Sequence, residues 1–171
     1  MKKLHKFILL VFLLCFTFSC DKKDIQNSNP LLGAWKVIET ATIDSEGEIK
    51  NRYEHPSLYI FQEDFYSMVM ILGDEPRPEF EDPWNPTADE KIKAYDSILV
   101  NAGRYELKES VVITRPIIAR VPAFVGGEAF YEYKFEGNTL TLTWFDEVSK
   151  KGVPHPWAGK LKFRYTLIRI K

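Results

Sequence analysis

Between Gly33 and Ile170 apolar and polar residues alternate with a period of two, segment after segment, and this pattern does most to limit the fold. A period of two sends successive side chains to opposite faces of a strand, so each segment has one buried and one solvated face. Gly33 to Thr40 opens the first strand, with Trp35 and Val37 on one face. Ser57 to Gln62 and Phe65 to Leu72 form two more around Glu63-Asp64. Gly103 to Lys108 puts Tyr105 and Leu107 inward, and Val111 to Ile118 follows, where Pro116 predicts an edge or a bulge. Ala129, Tyr131, Tyr133 and Phe135 share a face before the Gly137-Asn138 hairpin signal. Thr139 to Trp144 puts Leu140, Leu142 and Trp144 inward. Lys160 to Ile170 closes the series, and a slip at Leu167-Ile168 predicts a bulge. The class is all-β with eight strands.

One helix falls between strands 3 and 4. Thr87-Ala88-Asp89-Glu90 is a capping box, Ile92, Tyr95, Ile98, Leu99 and Ala102 follow helical spacing, and Gly103 sits where a C-terminal cap belongs. Eight antiparallel strands avoid exposed edges by closing into an up-and-down barrel. A sandwich is the alternative, because alternation alone does not show closure.

The start of the chain has a different character. Met1 to Lys6 is positively charged, and Phe7 to Phe18 is apolar apart from Thr17, well short of the roughly 20 residues that span a bilayer as a helix. The run ends at Ser19-Cys20, followed by Asp21-Lys22-Lys23-Asp24. This resembles a bacterial lipoprotein signal, which implies removal of residues 1–19 and lipidation of Cys20. Plain secretion with cleavage nearby is the alternative. Residues 20–31 then form a flexible tether and residues 32–171 the barrel domain. The resemblance places the protein in the bacterial cell envelope, lipid-anchored to a membrane, with the outer membrane favoured.

Cys15 lies in the removed segment, so an internal disulfide is not expected and the core must supply stability. Three of the 23 basic side chains and none of the 24 acidic ones fall in residues 1–19, leaving a mature charge of about −4. That balance argues against nucleic acid as a partner.

Gly33-Ala34-Trp35 looks like the Gly-x-Trp signature of lipocalins. Asp89-Glu90-Lys91, Ala94-Tyr95-Asp96 and Ala102-Gly103-Arg104-Tyr105-Glu106 resemble the helix-to-strand passage of bacterial lipocalin-like domains. Phe124-Val125-Gly126-Gly127 and Phe135 to Leu142 continue the match in order, over roughly Leu32 to Trp144. The resemblance implies a calyx, with Trp35 as barrel plug and Arg164 or Arg169 stacked across it. Thr114-Arg115 stand where many relatives carry a histidine pair, so chemistry attached to those histidines does not transfer.

The candidate ligand-binding residues are Tyr59, Tyr105, Arg115, Tyr131, Tyr133 and Trp144. Aromatic rings would hold an apolar body, while Arg115, if its face points inward, would need a carboxylate from a ligand or from Glu39. The opposing readings are a side-chain-filled barrel and a solvated Arg115. His55 and His155 have no metal-ligand spacing, and the acidic, proline-rich stretch from Asp74 to Pro86 lacks the ligand spacing of a calcium loop. No phosphate loop or nucleophile elbow occurs, so neither metal nor cofactor is expected. Trp84 either closes over the mouth or staples the helix to the barrel. The favoured function is binding of a small apolar molecule, acidic in one version, by a monomeric anchored protein. The alternatives are an isomerase or cyclase using the cavity, and an envelope interaction module with a filled barrel.

Overall fold

The structure is a computed structural model and describes residues 29–73 and 75–171. The segment expected to be a signal, Cys20 and most of the expected tether lie outside the described residues, as does Asp74.

Nine strands form one antiparallel sheet. They are β1 (Gly33–Ile43), β2 (Glu48–Arg52), β3 (Ser57–Phe61), β4 (Phe65–Ile71), β5 (Ile98–Lys108), β6 (Val111–Ala119), β7 (Glu128–Glu136), β8 (Thr139–Val148) and β9 (Lys162–Arg169). Each of β3 to β9 pairs with the next, and β9 returns to β1, which closes an eight-stranded barrel. Closure removes the exposed edges that a sandwich would keep.

β2 is the strand beyond the expected eight. It pairs with the second half of β1, while β3 pairs with the first half. Because β9 occupies the other edge of β1 throughout, β2 and β3 are one strand position interrupted at residues 53–56. Pro56 has no N–H to donate at this break. β4 pairs with β3 and not with β2, so the wall is incomplete beside β2.

The core runs along the barrel axis. Leu31, Trp35, Val37, Phe61, Leu140 and Leu167 seal one end. Trp35 is 1% exposed, and its indole N–H donates to the Leu31 carbonyl at 2.8 Å. The Arg169 guanidinium lies 4.1 Å from its ring centroid, so the late arginine that stacks here is Arg169 rather than Arg164, which pairs with Glu48. Leu31, placed in the tether by the sequence, is buried in the packed unit Leu31–Lys171.

Three single-residue bulges adjust the alternation. Ile38 is passed over between β1 and β9, Ile117 between β5 and β6, and Phe145 between β7 and β8. The expected bulge at Leu167-Ile168 is therefore on the partner strand, at Ile38, while β9 keeps its alternation. Beside Pro116 the bulge falls where the proline predicts.

Helix α1 spans Ala88–Asp96 between β4 and β5. The Glu90 N–H donates to Thr87 Oγ1, and the Thr87 N–H donates to Glu90 Oε2 at 2.7 Å, forming the expected capping box. The helix is shorter than its spacing predicts. Ile98, Leu99 and Ala102 belong to β5, and Gly103 is buried within that strand, where a Cβ would collide with the Arg115 carbonyl oxygen. Trp84 neither staples nor closes anything: it is 90% exposed.

Candidate functional site

The end of the barrel opposite Trp35 is open on one side, where β2 leaves the wall. A cavity of about 520 Å³ lies there. Thr40, Thr42 and Asn51 come from β1 and β2, Met70 from β4, and Phe163 and Tyr165 from β9. The Ile38 bulge makes this arrangement. Trp35 and Val37 share the buried face of β1, and skipping one residue turns Thr40 and Thr42 inward opposite Tyr165 and Phe163. It also moves Glu39 off the Trp35 face, where its Oε1 accepts from the Thr166 hydroxyl at 3.4 Å.

Tyr53 forms the cavity's corner. Its hydroxyl accepts from the Ile71 N–H at 3.0 Å and donates toward the Ile71 and Pro56 carbonyls at 3.0 and 3.2 Å. These contacts fix the chain break against the end of β4. Burial pushes the Tyr53 hydroxyl above its ordinary pKa, so it stays a neutral donor. Arg52 and Glu54 pair with each other at 3.0 Å at the rim.

None of the six residues singled out as ligand-binding lines this cavity. Tyr59 and Tyr131 are sealed in the core, the first donating its hydroxyl to Met70 Sδ at 3.2 Å, the second stacked on Trp144 at 5.9 Å. Tyr105 meets the edge of Phe61. Tyr133 lies toward the sealed end and donates to the Glu109 carbonyl at 2.9 Å. Trp144 packs against Trp157 and Phe163 and donates to the Asp146 carbonyl. The interior at these positions is filled by side chains.

Arg115 requires a correction. It pairs with Arg104 on the outer face of the sheet, and its guanidinium meets Glu128 at 2.7 Å and Glu106 at 3.2 Å. Two carboxylates of the chain already satisfy it, so no ligand charge is needed. The regular alternation of Val111, Ile113 and Arg115 is real, but Thr114 and Val112 are the residues that face inward opposite Tyr105 and Leu107. Ile113 is buried on the outer side.

The residue that sequence reasoning missed most completely is Glu147. The Phe145 bulge turns it inward beside Ala129, and it is 3% exposed. Its Oε2 has no hydrogen-bond partner, nor does the buried Tyr66 hydroxyl. Burial first, and the neighbouring Asp146 carboxylate second, push the Glu147 carboxyl up to about 7. Burial likewise raises Tyr66, with the nearby Thr114 hydroxyl opposing it, although Thr114 directs its own hydrogen bond to the Ala129 carbonyl at 3.4 Å. Tyr66 and Glu147 form no hydrogen bond with each other.

The model of the lipocalin-like domain matches residues 32–158. This chain belongs to the lipocalin-like domain family. A solved lipocalin-like protein from Bacteroides uniformis is 12% identical, with the match covering 82% of this chain and 98% of that one at a TM-score of 0.42. No curated protein matches the chain. For a lipocalin-like barrel, the open end is where shape leaves room, and here that room is bounded by β1, β2, β4 and β9. Eight strands enclose just enough space either to fill with side chains or to admit one small ligand. This chain does the first along most of its axis and leaves space at one mouth.

Proposed function

We propose that this lipocalin-like protein is a membrane-anchored lipoprotein that takes up one small amphipathic molecule at the mouth of its barrel. The observation that carries the reading is the cavity of about 520 Å³ between β2 and the end of β4. Its size is that of a small-molecule site, and its walls divide by chemistry. Met70, Leu72 and Phe163 offer apolar contact, whereas Thr40, Thr42 and Asn51 offer hydroxyl and amide groups to a polar end. The ligand's apolar body would enter toward Tyr165 and its polar end would stay near β2. Cys20 would hold the barrel at the membrane surface of the cell envelope, and two or more acyl chains would make that anchor durable.

The test is a titration of the folded domain with decanoic acid and decanol, followed by tryptophan fluorescence. Trp144 and Trp157 both touch Phe163, which lines the mouth, so occupancy would alter their emission. Saturable binding that Thr42→Trp abolishes and Arg115→Met leaves unchanged is the expected result. Binding that survives the blocked mouth, or none to either compound, would reject the site.

A further inference from the structure

A second cavity lies beyond the mouth, where the β6–β7 and β8–β9 connections meet. It measures about 150 Å³ and is lined by Phe124, Glu147, Ser149, Val153, His155 and two prolines. Phe124 comes from a short 3-10 turn (Pro122–Phe124), and His155 packs on it at 6.0 Å between ring centroids. The Val148–Pro154 bridge and the His155 N–H donating to the Glu147 carbonyl at 2.8 Å fix the β8–β9 connection against the end of β8.

We infer that this cavity is a binding site for a small organic amine, with Glu147 as its counter-ion and Phe124 as its aromatic wall. The first support is the buried Glu147 carboxyl, whose Oε2 has no partner. A buried polar atom left unpaired is costly, and a bound donor would remove that cost. The second support is charge. Asp146 and Glu147 are adjacent carboxyls, and neither joins an ion pair among the described residues. Their field favours a cation. The third is the wall: aromatic faces attract cations, and Phe124 lines the cavity together with Glu147.

The other titratable groups around Glu147 do not supply the missing positive charge. Tyr66 from β4, Tyr131 from β7 and Tyr165 from β9 are held neutral by burial. Burial also lowers His155, which keeps its imidazole uncharged at neutral pH. The amine must therefore bring its own proton and meet an ionised Glu147. Affinity should rise about tenfold per pH unit below neutrality and level off above it, where Glu147 is already ionised.

The experiment is calorimetric titration of the folded protein with benzylamine, alongside benzyl alcohol, from pH 5.5 to 8.5. Benzylamine should bind with that pH profile, and the alcohol at least tenfold more weakly at pH 8. Glu147→Gln keeps the shape and removes the charge, so benzylamine affinity should fall at least tenfold and its pH dependence should vanish. Phe124→Ala should weaken benzylamine while leaving the unfolding midpoint nearly unchanged. Equal binding of amine and alcohol, a flat pH profile in the unmodified protein, or no binding of benzylamine would each overturn the assignment. The two cavities share no lining residue, so Thr42→Trp should leave benzylamine binding intact.

Discussion

Trp35 is buried because the sequence places a large ring on the inward face of β1 and the fold closes three kinds of contact around it. Phe135 meets the ring at 5.9 Å, Arg169 lies over it, and the Leu31 carbonyl takes its N–H. Trp35→Ala should cost about 3–5 kcal/mol, a large share of a domain's stability, and a denaturant midpoint would measure it. An unchanged midpoint would mean that the ring does not hold this end together. Glu147 makes the opposite kind of prediction. Its folded-state pKa is raised from an ordinary 4.5 to about 7, so the folded protein binds the proton more tightly than the unfolded chain. The contribution to stability is fully present below pH 4.5, declines as pH rises toward 7 and is flat beyond. Unfolding free energies at pH 5 and pH 8 should therefore differ by roughly 2–3 kcal/mol more in the wild type than in Glu147→Gln. Parallel pH profiles would contradict the buried, unpaired carboxyl. At this scale the sequence announces Trp35 through its spacing. It hides Glu147, because only a bulge two residues earlier turns that side chain inward.

Elements were readable where alternation is uninterrupted and obscure where it breaks. All eight barrel strands lie near their expected positions, and the capping box starts α1 where Thr87 and Glu90 predict. The end of that helix differs from the expectation because Ile98, Leu99 and Ala102 fit helical spacing by coincidence, while β4 recruits them as a strand. Tertiary pairing overrides local periodicity there. β2 has no inward apolar series to mark it, since all five of its residues are exposed, so its pairing with β1 supplies the order. The inverted reading of Arg115 has the same origin: both faces of β6 carry apolar residues, and sequence alone does not say which is inside. Gly103 tests this level of the account. Its missing side chain lets β5 approach the bulge of β6, so Gly103→Ala should destabilise by about 1–3 kcal/mol, the scale of overpacking, in a thermal or denaturant melt. A neutral result would show that the bulge relaxes freely.

For the whole molecule, the sequence conveyed the barrel and its sealed end but not the mouth, because the mouth depends on two features without a periodic signature: the Ile38 bulge and the break between β2 and β3. The proposed membrane anchor rests on Cys20 and is tested apart from the barrel. Cys20→Ala should abolish labelling by a radioactive fatty acid in the producing bacterium and leave the barrel's folding unaffected. The central claim, that the ligand sits at the mouth and not along the aromatic axis, is tested most directly by mapping amide chemical shifts of the folded domain during addition of decanoic acid. The largest changes are expected at Thr40, Thr42, Asn51 and Phe163, with little change at Arg115 and Tyr133. Changes centred on the outer face around Arg115, or no changes at saturating decanoic acid, would contradict it.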